Sequence, residues 1–196
     1  MSDIISSLVI NRTREDVDFL LEIRDRIMLE GFDALQENYK RDWLAGMKGA
    51  YNYTDMNRVG EATLFIANQL IRLPKEVEQY CKENGVDYSD EYKVPYDPGS
   101  IVVNPKTDWN RGDIPTRTEI KTYLEEIQLL RSKLELRNKL PETPTSLDRM
   151  TYETANLIER ILLNISISYD EFLEEAIDRV DQTVPAYQYC NMEYCG

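Results

Sequence analysis

Histidine is absent from all 196 residues of the sequence, and this absence removes the commonest general base of enzymes. It also removes Ser–His and Cys–His catalytic pairs and most zinc and copper sites. Cysteine is scarce, and of the 3 residues only Cys190 and Cys195 lie close together, which is a poor metal site. We therefore predict no catalytic residues, no cofactor and no metal, while carboxylate chemistry stays open because Asp and Glu are abundant.

The sequence also lacks a basic patch and a long apolar run. Its formal net charge is -13, and its 23 Lys and Arg residues are interspersed among 36 Asp and Glu residues. Such a surface repels phosphate backbones, so we expect no direct binding of nucleic acid. No apolar run reaches the roughly 20 residues of a membrane-spanning helix, and the first residues show no secretion signal. With an odd number of cysteines, these features predict a reduced protein made inside the cell.

Apolar spacing along most of the chain predicts a mainly α fold, a helical bundle with long amphipathic helices. The chain divides into an N-terminal arm (1–12), an N-terminal helical part (13–85), a Pro/Tyr-rich long loop (86–115), a C-terminal helical part (116–182) and a tail (183–196). Both ends are candidates for short strands. The arm either packs on its own domain or serves as an assembly arm.

In the N-terminal helical part, Thr13 has the chemistry of an N-cap with Asp16 three residues later, and Gly31 ends the helix. A second short helix is predicted over 33–45, with Gly46 as its stop. Both predictions depend on local signals, because capping side chains and glycines act within one turn of the helix end.

A longer helix is predicted to begin at Thr54 or Asp55 and to break or restart at Pro74, which lacks a backbone N–H. Gly60 lies inside it and costs about 1 kcal/mol relative to Ala. We interpret it as a site of close approach by another element, with Trp43 or Tyr51 as the candidates.

In the C-terminal helical part, Thr116 and Glu119 form a capping-box pattern, and the helix that follows fades near Asn138. Thr151 caps the last long helix, whose apolar residues alternate at three- and four-residue spacing, as in a coiled-coil seam. Such a helix is either central in a bundle or in contact with another subunit. The seam residues are Ala155, Ile158, Leu162, Ile165, Tyr169, Phe172 and Ala176.

The loop over 86–115 holds several prolines and tyrosines, and its aromatic residues, Trp109 among them, predict that it packs on something. Residues 101–103 are apolar and β-branched enough for a brief strand. Arg111-Gly112-Asp113 is the integrin-binding tripeptide, but a turn leading into the next helix is the simpler interpretation.

Two short segments of the chain resemble each other. Tyr53-x-x-x-Asn57 and Tyr152-x-x-x-Asn156 both stand at the start of a long amphipathic helix. The echo indicates either a duplication or a shared packing device, in which Asn57 and Asn156 are structural residues that bind a turn backbone.

A family resemblance begins in the same region, with the segment WLAGMKGAYNYTDMNRV over 43–59. It is similar to a segment of phage and prophage minor structural proteins of low-GC Gram-positive bacteria. Two later pieces resemble the same proteins: Trp109 with 113–116 and the following helix, and residues 147–165. The resemblance implies a helical module of a tail, baseplate or fibre, with no catalytic residue to transfer. Its recurrent residues match Trp43, Gly46, Gly49, Tyr51 and Asn57.

From the resemblance we expect a non-enzymatic virion protein that is made in the host cytoplasm and assembles with other phage structural proteins, as a homo-oligomer or within a symmetric assembly. A capsid decoration or head-fibre protein is the alternative, followed by a host-directed regulator or a carboxylate-based cell-wall hydrolase. The structural and interface candidates are Trp43, Gly46, Gly49, Tyr51, Asn57, Gly60, Trp109, Asn156, Tyr169 and Phe172.

Overall fold

Three parallel helices form the body of the molecule, which a computed structural model describes over residues 2–136, 139–148 and 150–184. The mainly α prediction is confirmed, and the described residues contain helices and short 3₁₀ turns but no strand. The helices are α1 (Asp3–Ser6), α2 (Arg14–Glu30), α3 (Glu37–Ala45), α4 (Tyr53–Glu83), α5 (Arg117–Arg131) and α6 (Tyr152–Thr183).

Local capping chemistry sets most of the helix ends. Thr13 and Thr116 each begin a helix with a reciprocal capping box, and Thr151 caps α6, as predicted. Gly31 and Gly46 follow the ends of α2 and α3 with φ of 89° and 91°, a backbone conformation that L side chains rarely adopt.

The start of α4 differs from the prediction. Its N-cap is Asn52, whose side chain accepts from the Thr54 backbone N–H, while the Asp55 carboxylate accepts from the Asn52 N–H. Thr54 and Asp55 therefore lie inside the first turn. The capping box takes an Asn–Asp pair here because both side chains offer an acceptor at the required spacing.

Pro74 does not break α4, contrary to the prediction. The helix continues to Glu83 with Pro74 inside it. A proline cannot donate to the carbonyl four residues earlier, which is that of Leu70. The Tyr96 hydroxyl donates to that carbonyl at 2.9 Å instead, so a tertiary contact supplies the missing hydrogen bond.

Other boundaries also shift. The N-terminal strand prediction is wrong, because residues 3–6 form α1 and Ile5 is buried against α4 and α6. The predicted helix 33–45 is divided into a 3₁₀ turn over Phe32–Ala34 and α3. The helix expected to fade near Asn138 ends at Arg131, and residues 101–103 lie outside any strand. The predicted C-terminal strand, Cys190 and Cys195 lie outside the described residues.

The two longest helices, α4 and α6, run side by side in the same direction. Arg58 near the start of α4 bonds Glu159 near the start of α6, and Tyr80 near the end of α4 bonds Asp181 near the end of α6. Tyr53 and Tyr152 are their first residues, 99 positions apart. Adding 99 to the number of a buried residue of α4 gives a residue of α6 that is also buried, except for Asp55 and Leu73.

A return segment (residues 86–116) connects the end of α4 to the start of α5. Along the chain, this segment first bonds Leu70 and later Asn57, which lies nearer the start of α4. It also first bonds Lys133, just beyond the end of α5, and later Glu126 within α5. It therefore runs antiparallel to both helices, and α5 is parallel to α4. A crossover of this length is what parallel packing of consecutive helices requires, since a short loop joins only antiparallel neighbours.

The main core lies between α4, α5 and α6, and α1 covers part of it. The α2–α3 hairpin (residues 14–45) and Met47, which follows it, share a separate small core of three buried residues, Ile23, Leu35 and Met47. Leu20 and Met47 of this small core line one cavity together with Tyr53 and Met56 at the start of α4.

Candidate functional site

A charge cluster of Arg12, Asp55, Arg58 and Glu159 lies buried at the N-terminal ends of α4 and α6. Arg12 Nη2 contacts both an Asp55 and a Glu159 carboxylate oxygen at 2.7 Å, and Arg58 bonds the same two carboxylates. Glu159 is 0% exposed. It also accepts from the Val9 backbone N–H at 2.5 Å, so the N-terminal arm is tied to α6.

The two positive and two negative charges of the cluster balance one another, which is the condition under which buried ions are tolerated. Arg12 Nε is the one polar side-chain nitrogen of the cluster that is buried without a hydrogen-bond partner among the described residues. With each carboxylate held by two guanidinium groups, the cluster is a clamp that joins the arm, α4 and α6.

Two tyrosines extend this clamp to α5. The Tyr51 and Tyr123 hydroxyls are 2.6 Å apart, and the Arg12 guanidinium lies 5.7 Å from the centre of the Tyr51 ring. Burial raises the pKa of both hydroxyls, and the nearby carboxylates raise it further. Both tyrosines therefore stay protonated and act as hydrogen-bonding and packing groups.

Asn57 and Asn156 perform the same task in the two halves of the chain. Asn57 Oδ1 accepts from the Trp109 N–H at 2.7 Å, and its Nδ2 donates to the Trp109 carbonyl at 3.0 Å. Asn156 makes the same pair of bonds with Arg12, at 2.9 and 2.8 Å. Each asparagine thus binds backbone, as predicted, but the bound residues Arg12 and Trp109 do not lie in a turn, contrary to the prediction.

The pairing is reciprocal between the halves. The extended segment before α2 is held by Asn156 of α6, and the extended segment before α5 is held by Asn57 of α4. Because buried positions also correspond between α4 and α6, the similarity of the two helices extends beyond the Tyr-x-x-x-Asn motif.

Two glycines allow backbones to approach closely. A Cβ on Gly60 would lie 2.8 Å from the Lys106 carbonyl oxygen, so the element that approaches is the return segment, and the predicted partners Trp43 and Tyr51 are wrong. A Cβ on Gly49 would lie 2.1 Å from the Asp16 carbonyl oxygen. A side chain at either position would force the neighbouring backbone to shift.

An aromatic cleft of about 350 Å³ lies beside the clamp, between the start of α4, the end of α3 and the turn after Trp109. It brings together four of the residues singled out from the sequence, Trp43, Gly46, Tyr51 and Trp109. The Arg111-Gly112-Asp113 turn forms one wall.

The Arg111-Gly112-Asp113 tripeptide is a turn, as the simpler interpretation predicted. The Asp113 carboxylate accepts from the Asn110 N–H at 2.9 Å and pairs with Lys106 Nζ at 3.0 Å. These contacts lower the pKa of Asp113 below its usual value. The carboxylate thus stabilises its own turn.

The other two candidates lie far from the cleft. Tyr169 is buried in the α6 seam and donates to Glu76 of α4 at 2.6 Å. Phe172 is half-buried and lines a separate cavity with Leu134 and Pro95. They belong to the contact between the helices.

The charge cluster was not anticipated from the sequence. Arg12 stands just before an N-cap, where a charged residue is ordinarily solvated. The available signal was Glu159, a charged residue between Ile158 and Leu162 on the apolar face of α6. A charge in that position requires a partner, and the sequence does not say which.

Among the described residues, no group of three or more Cys, Asp or Glu side chains is placed to hold a metal ion. Within that same part of the chain, no helix has the length and apolar content needed to cross a membrane. Comparisons with protein-family models, with curated proteins and with solved structures find no match.

Proposed function

We propose that the chain is a non-enzymatic structural subunit of a tailed-phage virion, made in the host cytoplasm, which acts by protein–protein contacts in the tail, baseplate or fibre region. Three pieces that resemble phage minor structural proteins support this proposal: residues 43–59, Trp109 with 113–116 and the following helix, and residues 147–165. The observation that carries it is the α2–α3 hairpin, which has its own small core and exposes large apolar side chains.

Two strongly exposed apolar residues are neighbours at the far end of α2. Met28 is 78% exposed and Leu29 is 85% exposed, next to the turn that joins α2 to α3. Phe19 and Leu44 on the same hairpin are exposed as well. We infer that the adjacent exposed side chains of Met28 and Leu29 form a surface that another chain covers.

The hairpin is anchored firmly at its base, as an adaptor requires. Arg12, directly before the Thr13 cap, is fixed by Asn156 and by the charge cluster. Gly49, after α3, packs against the backbone of Asp16. The base of the hairpin is thereby joined to α4 and α6, which are the longest helices among the described residues.

Mass spectrometry of purified virions, separated into heads and tails, tests the proposal. We expect the chain in tails at a fixed stoichiometry, with other phage structural proteins as partners in a homo-oligomeric or symmetric assembly. Presence in heads would support the alternative of a capsid decoration or head-fibre protein. Absence from both would contradict a structural role and favour a host-directed regulator or a carboxylate-based hydrolase.

Paired variants test the hairpin itself. Met28→Ser with Leu29→Ser should leave the melting temperature nearly unchanged and should abolish incorporation into particles. The matched control is Val102→Ser with Ile114→Ser, because both residues are equally exposed but lie on the return segment. Equal incorporation of both double variants would show that the hairpin is not the contact surface.

A further inference from the structure

The last residues of α2 and the aromatic cleft have complementary chemistry. Met28, Leu29 and Glu30 end the helix, and all three side chains are exposed. We call these three residues the tip of α2. The aromatic cleft is lined mostly by apolar and aromatic side chains, Trp43 and Met56 among them. The tip therefore offers apolar side chains that lack cover, and the cleft offers an apolar lining.

The tip cannot occupy the cleft of its own chain. Leu20 lines the cleft, and it belongs to the same continuous helix as the tip, because α2 runs from Arg14 to Glu30 without a break. Met28 follows Leu20 by about two helical turns, which is roughly 12 Å along the axis. A contact between a tip and a cleft therefore joins two copies of the chain.

The cleft has room for both apolar side chains of the tip. An engineered cavity of roughly 150 Å³ holds benzene, and the aromatic cleft has a volume of about 350 Å³. Methionine is flexible enough to fit an irregular space, and its sulfur makes favourable contacts with aromatic rings such as those of Tyr53 and Trp109, which line the cleft. Occupation of the cleft would remove the strongly exposed side chains of Met28 and Leu29 from water.

The available charges of the tip and the cleft are opposite. Glu30 directly follows Leu29 and has no ion pair among the described residues. Two charged residues line the cleft: Asp113 is paired with Lys106, whereas Arg111 is exposed and has no ion pair in the part of the chain that the structure describes. A contact that pairs a glutamate with an arginine is attractive, while the formal net charge of -13 makes two copies repel each other in general.

We propose that the tip of α2 binds in the aromatic cleft of a second copy of the chain, with Met28 and Leu29 in the cleft and Glu30 beside Arg111. This inference rests on the proposed function, in which another chain covers Met28 and Leu29, and it identifies that chain as a second copy. The two contacting surfaces are different, so the contact can repeat from copy to copy. Such heterologous contacts close into rings or continue as helical filaments, which are forms of the symmetric assembly that the proposed function expects.

Sedimentation velocity of the pure full chain over a range of concentrations tests the contact. The wild type should form larger oligomers as its concentration rises. The tip variant is Met28→Ser with Leu29→Ser, and the cleft variant is Ala50→Trp, which adds an indole to the lining of the cleft. Each variant alone lacks one of the two surfaces and should be monomeric. An equimolar mixture of the two variants retains one intact tip and one intact cleft, so it should form dimers and nothing larger.

Charge reversal tests the same contact without filling the cleft. Glu30→Arg and Arg111→Glu should each weaken self-association about tenfold at low ionic strength, because like charges then meet. The two reversals combined in one chain should restore the association of the wild type. Glu61→Arg is the matched control, because Glu61 is exposed on α4 and the change in net charge equals that of Glu30→Arg. This control should not weaken self-association.

The inference is overturned if the wild type stays monomeric at about 1 mM, if the cleft variant associates as the wild type does, which indicates a contact between two tips, or if the mixture of variants stays monomeric. If Ala50→Trp does not fold, Arg111→Glu replaces it in the mixture. A monomeric wild type that is present in virion tails would overturn this inference alone and would make a different virion protein the chain that covers the tip. Dimers in the mixture, with the chain absent from virions, would overturn the proposed function alone.

Discussion

The Asn57 side chain and the Trp109 backbone are joined by two hydrogen bonds, at 2.7 and 3.0 Å, in the manner of two paired strands. An amide side chain has one acceptor and one donor side by side, so it can satisfy both polar groups of a single residue in an extended segment. This pairing fixes the return segment on α4, and the Asn156–Arg12 pairing fixes the N-terminal arm on α6.

The first prediction follows from this equivalence. Asn57→Ala and Asn156→Ala should each lower the free energy of unfolding by about 2 kcal/mol, because each leaves a backbone N–H and carbonyl without partners. Urea unfolding gives the values. Asn38→Ala, at an exposed position of α3, is the control and should have little effect. A large loss at only one of the two asparagines would show that the pairs are not equivalent.

The second prediction concerns the charge cluster. Glu159→Met should destabilise the fold by about 3–5 kcal/mol, because Arg12 and Arg58 then share one carboxylate in a buried site. Adding Arg12→Met should restore part of the stability, since the Arg58–Asp55 pair is left balanced. A double-mutant cycle measures the coupling, with exposed Glu125→Met as the control. Additive effects of Glu159→Met and Arg12→Met would contradict the description of a coupled cluster.

The third prediction concerns Pro74 and Tyr96. Tyr96→Phe should lower stability by about 1 kcal/mol or more, because the Leu70 carbonyl loses its hydrogen bond. In a Pro74→Ala background the restored backbone N–H can donate to that carbonyl, so Tyr96→Phe should cost less there. Thermal unfolding of the wild type, the two single variants and the double variant measures the cost of Tyr96→Phe in each background. An equal cost in both backgrounds would show that the hydroxyl does not replace the proline's missing donor.

The fourth prediction compares two glycines. Gly60→Ala should destabilise the fold by about 1–2 kcal/mol, because the new methyl group meets the Lys106 carbonyl and the overpacking outweighs the helical preference for Ala. Gly112→Ala meets nothing within 4 Å, so its effect should stay within about 0.5 kcal/mol. Denaturant unfolding of both variants is the measurement. A stabilised Gly60→Ala variant would mean that the return segment moves away from the new methyl group at little cost in free energy.

The fifth prediction concerns pH. Burial raises the pKa of Glu126 above its ordinary value, so the folded state disfavours the ionised carboxylate. The stability that the protonated form contributes is complete below the unfolded pKa and is lost as pH rises through the folded pKa. Glu126→Gln should therefore gain stability over the wild type as pH rises from about 4 to 8. Unfolding curves across this pH range measure the difference in stability between Glu126→Gln and the wild type, with Glu125→Gln as the control. A difference that does not change with pH would contradict the prediction.

Local signals in the sequence account for much of the fold. The capping residues Thr13, Thr116 and Thr151 and the stops at Gly31 and Gly46 act within a single helical turn, so their effect is readable from neighbouring residues. The apolar stripes of α5 and α6 likewise identify buried faces before any partner is known. The segment over 43–59 contributes several residues to one cleft, which the sequence did not predict.

Long-range contacts decided what these signals could not. Pro74 stays within α4 because Tyr96, distant in sequence, supplies a donor. Gly60 faces the return segment because the crossover runs antiparallel to α4. The sequence alone thus determined which faces are apolar, where α2, α5 and α6 begin, where α2 and α3 end, and that two asparagines hold backbone. Only the tertiary structure decided that α4, α5 and α6 are parallel and that Arg12, Asp55, Arg58 and Glu159 meet, because a buried charge requires a partner whose identity depends on packing.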